Sequence, residues 1–230
     1  LGFIPAFFVL LGLAASEVNM KRLIALNAVF ALPHLFVFAG LLHAPAHSIQ
    51  TGLEALGVQS EKATDFYQRV QFHREMPLIL ETLRDGLPEN SLLATTAYSP
   101  GALMSYHAGE VVPVFGPGKY HARNDDVFVD WRDHEGKTIR VVSRSKPIDP
   151  QKYAPFFESV QLLEIEAAGV PFWVVEGTKF NYSRFRDIHL RKAIELYYQI
   201  PEFLPVLDCP FGRKYGFEDE CRIGDLGLFK

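Results

Sequence analysis

The densest group of side chains able to do chemistry lies at residues 119–126, KYHARNDD, directly after a Gly-Pro-Gly turn. Arg123 offers a planar fork of N–H donors suited to phosphate or carboxylate, and Asn124 can both donate to and accept from sugar hydroxyls. Asp125 and Asp126 can hold that arginine in place or bind hydroxyls themselves. His121 beside two acids suggests a divalent cation, but adjacent side chains rarely converge on one ion, so no metal ligand set is expected. Two readings stay open. Either the loop recognises an anion or a sugar, or it is pinned by its own side-chain bonds and only braces the fold.

No constellation elsewhere in the chain is catalytic. Ser99, Ser105, His107, Ser143 and Ser183 form no recognisable nucleophile arrangement, and a Gly-x-Ser-x-Gly elbow is absent. Tyr98 and Tyr106 flank the Ser-Pro-Gly start of a helix and either line a cleft or fill a core. Glu164, Glu166 and Glu176 fall on β-prone runs and are expected to face solvent. Without a Gly-x-Gly-x-x-Gly turn there is no nicotinamide or flavin site, and no cofactor is expected. Cys209 and Cys221 enclose PFGRKYGFEDE near the C-terminus. Outside the cytoplasm a disulfide is favoured there, worth about 3 kcal/mol in the chain-entropy description. A two-cysteine metal site would need further ligands close by, and the sequence offers none.

The loop needs a scaffold, and the pattern supplies one. Apolar residues recur at helical spacing over 61–84, stopped by Asp85-Gly86-Leu87-Pro88. A β-prone run at 91–98 leads into a helix to Gly109, with Pro100 in its first turn. Strand candidates follow at 111–115 and 137–143, with a short strand or helix at 127–131. Residues 160–167 and 171–176 read as an antiparallel hairpin joined at 168–170. The last helix spans 182–198. This order predicts a small layered α/β domain, Rossmann-like in its first half. Strands 92–97, 111–115 and 139–142 should be neighbours, the first two parallel because a crossover helix joins them.

The N-terminal part is of a different character. Residues 1–42 hold only three charged side chains, Glu17, Lys21 and Arg22. Residues 23–43 are long enough, at 1.5 Å per residue, to cross a hydrocarbon core of about 30 Å. Residues 1–15 form a second apolar run, and a polar turn at 16–22 joins the two. The expectation is a transmembrane helical hairpin. Lys21 and Arg22 place its turn in the cytoplasm and the following domain outside. A cleaved signal peptide fits poorly, since there is no basic start and a second span follows at once. A chain that opens at Leu1 inside a span is expected to be the tail of a longer membrane protein. The expected organisation is therefore two transmembrane helices (1–43), a linker (44–60), an extracytoplasmic α/β domain (61–200) and a loop-rich tail (201–230). The chain as a whole carries 23 basic and 27 acidic residues, a net charge of −4, with no basic run, so nucleic acid is not an expected partner.

One run carries a resemblance. YSPGALMSYHAGEVVPVFGPGKYHARNDDVFVDW, residues 98–131, is similar to the C-terminal region of multi-spanning glycosyltransferases that use polyprenyl-phosphate sugars, such as protein O-mannosyltransferases and aminoarabinose–lipid A transferases. The shared pattern is a Tyr ending the first strand, then a small-residue helix with Leu103, Ser105 and Tyr106. A strand follows, then the Arg123-Asn124-Asp125-Asp126 turn and an aromatic close at Phe128 and Trp131. The resemblance implies transfer of a sugar from a polyprenyl-phosphate donor to a lipid or protein acceptor. The domain would cover the active site or help hold the acceptor, with the transmembrane bundle of the same chain and membrane lipid as its partners. The catalytic residues would lie upstream of Leu1, so none is assigned here, and a divalent metal in the full-length enzyme is left open. The alternative is a membrane-anchored, non-catalytic binding or scaffolding domain.

Overall fold

The computed structural model of the chain describes residues 20–116, 124–144, 147–200 and 209–221. The chain divides into two compact units, Leu1–Val70 and Gln71–Lys230.

The first unit is helical in its described part: α1 (Met20–His43), α2 (Ala46–Ala55) and most of α3 (Ser60–Arg74). The expected transmembrane hairpin is overturned. Among the described residues no helix is long and apolar enough to cross a membrane. The sequence of α1 is interrupted by Lys21, Arg22, Asn27, Pro33 and His34, and its longest unbroken apolar run, residues 35–42, is far short of the roughly 20 residues a span needs. The proposed first span, residues 1–15, lies outside the described residues. The integral-membrane placement and the extracytoplasmic side inferred from that hairpin lose their basis with it. The segment expected as a linker contains α2, started by Pro45. Ile49 and Ala63 are buried, and Gln50 Nε2 donates to Thr64 Oγ1 at 3.3 Å.

The second unit is a mixed sheet with helices on both faces. Its first helix, α4 (Met76–Arg84), is separate from α3 because Pro77 has no N–H to bond the carbonyl four residues back and its ring would clash there. Met76, Ile79, Leu80 and Leu83 form the buried stripe of α4. β1 (Leu92–Thr95) is followed by α5 (Tyr98–Ala108) and then by a single parallel bridge, Thr95 to Val114. The strand expected at 111–115 is thus reduced to one pairing, because Pro113 has no N–H to extend the ladder. After a short α6 (Asn124–Phe128) and a 3₁₀ turn (Trp131–His134), β2 (Ile139–Ser143) pairs in parallel with β1. β3 (Ser159–Ala167) and β4 (Val170–Thr178) form an antiparallel hairpin, giving the sheet order β1-β2-β4-β3. Ala168 and Gly169, both at positive φ, make the two-residue turn whose twist matches the strands.

One face of the sheet, with Leu93, Val142, Phe172 and Val174, packs on Met76, Ile79 and Leu83 of α4 and Met104 of α5. The other face, with Ala94, Ile139, Val141 and Val175, meets an aromatic cluster centred on Phe115. The Phe115 ring stacks on Phe185 at 4.9 Å and meets Trp131 edge-on at 5.4 Å. The last helix begins as α7 (Tyr182–Phe185), widens through a π turn (Arg186–Leu190) and continues as α8 (Arg191–Tyr197). The tail expected to be loop-rich adds a short α9 (Pro210–Tyr215), and Phe211, Tyr215 and Phe217 are almost fully buried. Arg186 and Arg191 lie over the Phe217 ring at 4.4 and 5.2 Å.

A second correction concerns Glu176. It is not solvent-facing but half-buried, forming an ion pair with buried Arg140, its cross-strand partner, the side chains being 13% and 6% exposed. Arg140 Nη1 also donates to the carbonyls of Leu83 and Asp85, so one guanidinium joins two strands to the end of α4.

Candidate functional site

The carboxyl ends of β1 and β2, with Val114 bridged outside β1, define the edge where α/β sheets most often bind ligands. Buried Thr95 ends β1, and its Oγ1 donates to Ala97 O at 2.9 Å, turning the chain into α5. No side chain caps the N-terminus of α5, where the backbone dipole favours negative charge. Gly101 lets this helix approach closely: a Cβ there would sit 2.9 Å from Val112 O and 3.0 Å from Thr95 Oγ1. Ser105, two turns along, donates to Gly101 O at 2.7 Å and accepts from Val112 N at 2.8 Å, so its hydroxyl is occupied in bracing.

The polar loop leaves from this edge at Gly116, whose φ of +77° and contact with Tyr153 exclude a side chain. Residues 117–123, including His121 and Arg123, lie outside the described residues. The chain is described again from Asn124, which opens α6. Asp125 Oδ2 then accepts from Val114 N at 2.7 Å. That bond returns the chain to the edge it left, two residues from Gly116. Asp126 is 1% exposed, and its Oδ1 accepts from the Trp131 indole N–H at 3.2 Å. Asp125 and Asp126 therefore close the base of the loop and anchor it in the core.

Further contacts hold this base from below. The single Tyr215 O–H lies between two acceptors, Asp126 O at 2.6 Å and Val129 O at 2.9 Å. Lys214 Nζ donates to Val127 O at 2.6 Å and Val129 O at 2.8 Å. Burial pushes the Tyr215 phenol well above its ordinary range and draws the Lys214 ammonium down. Hydrogen bonds from the Arg132 side chain hold the Asp130 carboxyl down at about 2. Sequence reasoning passed over Lys214 and Tyr215. The available signal was the pair Phe211 and Tyr215, spaced for one helix face, inside a cysteine-bounded tail.

The other expected site residues do not gather here as a cleft. Tyr98 is half-buried at the start of α5, whereas Tyr106 is 81% exposed and meets His107 edge-on at 5.1 Å. Tyr106 lies eight positions beyond Tyr98, roughly 12 Å along the helix axis. Cys209 is disulfide-bonded, and Cys221 is the one other cysteine of the chain. Among the described residues no three His, Cys, Asp or Glu side chains are grouped to hold a metal ion. No protein-family model, curated protein or solved structure matches the chain. The terms glycosyltransferase and membrane protein, expected from the resemblance and the apolar N-terminus, find no support in these comparisons or in α1.

Proposed function

We propose that the unit of residues 71–230 is a non-catalytic recognition domain. It binds a sugar phosphate at the carboxyl edge of its parallel strands, with residues 117–124 as the contact segment. The observation that carries this reading is the clamp from Asp125 to Val114 N–H, which returns the polar segment to the edge beside the uncapped start of α5. The helix start favours an anion, and Arg123 adds a fork complementary to phosphate. Asn124 suits hydroxyls. The ligand class also draws on the likeness of residues 98–131 to enzymes that handle polyprenyl-phosphate sugars. A non-catalytic role accords with the hydroxyl of Ser105 being engaged within the fold.

Calorimetric titration of the full chain with a hexose 1-phosphate tests the reading. Arg123→Ala should leave melting unchanged and weaken binding by about ten- to a hundredfold, the loss of one charge-assisted hydrogen bond. Equal affinity in stably folded Arg123→Ala/Asn124→Ala protein would end the case for this segment, as would the absence of binding to the unaltered chain.

A further inference from the structure

Every polar contact described above between the tail and the base of the loop comes from two consecutive residues of α9. Lys214 and Tyr215 together reach three carbonyls, those of Asp126, Val127 and Val129, the single Tyr215 hydroxyl proton being shared between two of them. A six-residue helix has no stability of its own in water, because its nucleation is not repaid over so short a length. Burial of Phe211 and Tyr215, and of Phe217 just beyond, seats it on the core, and two further holds fix its ends. Its first turn begins at Cys209, whose carbonyl accepts from Arg213 N at 2.9 Å and whose sulfur is in a disulfide. Its far end is held by Arg186, which donates to Tyr215 O at 2.7 Å and to Gly216 O at 3.2 Å.

We infer that the disulfide at Cys209 makes α9 a redox-governed strut for the base of segment 117–123. In the oxidised chain the helix is covalently pinned, and Lys214 and Tyr215 fix residues 126–129. Asp125 then holds Val114. A small dithiol reverses this. Its first thiolate attacks the disulfide to give a mixed disulfide, and its second closes the reagent's own ring. The protein's S–S bond becomes two thiols while the reagent is oxidised by two electrons. With the pin removed, α9 frays and the three carbonyls lose their donors. Residues 125–131 then lose order while the sheet persists. The inference concerns order at residues 125–131 and stands or falls without any ligand.

Hydrogen–deuterium exchange on the full chain, oxidised and after dithiothreitol, tests it. Reduction should speed exchange about tenfold or more in residues 210–217 and 125–131 and leave β1 and β2 unchanged. Lys214→Met/Tyr215→Phe protein with its disulfide intact should reproduce the increase at 125–131. Unchanged exchange at 125–131 on reduction would show that the strut stands without its covalent pin. Equal acceleration in β2 would make the disulfide a staple of the whole domain. Unchanged exchange at 125–131 in the double variant would show that these two side chains do not carry the coupling. Any of these three results overturns the proposal.

Discussion

Replacing Asp125 with alanine removes the acceptor that, among the described residues, ties the end of the candidate loop to Val114. Its Oδ2 lies 2.7 Å from Val114 N, and Val114 is 2% exposed. A hydrogen bond to an ionised acceptor is worth about 1.5–3 kcal/mol, and a buried N–H left without a partner costs about 1–3 kcal/mol. These are two descriptions of one loss and do not add, so the expected destabilisation is about 2–3 kcal/mol. Asp125→Asn keeps a carbonyl acceptor and should lose roughly half as much. For a domain of this size the alanine variant should melt about 4–12 °C lower. Urea unfolding followed by tryptophan fluorescence is the assay, because Trp131 and Trp173 both lie in the unit of residues 71–230. A variant within about 0.5 kcal/mol of the parent would refute the clamp and return Asp125 to the list of ligand contacts.

Three other expectations follow from the same geometry. Glu176→Ala strands the buried Arg140 charge and should cost about 3–5 kcal/mol in urea, with Arg140→Met/Glu176→Leu recovering part of the loss; a double variant less stable than the single one would contradict the account. Gly101→Ala forces a Cβ against Val112 O and should cost about 1–3 kcal/mol, whereas an unchanged melting temperature would mean α5 can shift freely on β1. Asp130 has its carboxyl lowered from 3.8 to about 2 by Arg132. Its folded value lies below the unfolded one, so its stabilisation is present above the unfolded value and lost as pH falls through the folded one. Between about pH 4.5 and 2.5 the urea midpoint of Asp130→Asn should therefore fall less steeply than that of the parent, and parallel slopes would contradict the pairing.

How far the fold could be read from residues alone varied with the range of the interactions that fix it. Leu92–Thr95, Ile139–Ser143 and the hairpin at Ala168 and Gly169 announce themselves locally, through short apolar runs, β-branched in the case of Ile139–Ser143, and a turn sequence. The break between α3 and α4 was also legible in Pro77, although the apolar period over 61–84 masked it. Arg140 and Glu176 were not legible: 36 residues separate them, and only the β2–β4 register brings them together. The tail misled because Phe211, Tyr215 and Phe217 stand among polar and glycine residues in 210–220 and are buried by partners distant in sequence, Tyr198 on Phe211, Tyr182 beside Tyr215, and Arg186 and Arg191 over Phe217. The apolar N-terminus misled in the other direction, since average hydropathy hides the polar residues that punctuate α1. For the candidate site, the sequence placed the loop after a strand, and the described residues on either side of it, Gly116 and Asn124–Asp126, lie by the carboxyl end of β1. It could not divide labour within NDD, because Asp125 and Asp126 acquire their bracing role only from Val114 and Trp131.

The central claim is that the carboxyl edge of β1 and β2 receives a phosphorylated sugar. Backbone amide NMR of the full chain, titrated with a hexose 1-phosphate and separately with the free hexose and inorganic phosphate, addresses it most directly. The account predicts saturable shifts confined to residues 96–101, 116 and 124–126, strongest for the sugar phosphate and lost in Arg123→Ala. Shifts centred on another part of the sheet, or none at millimolar concentration, would contradict it.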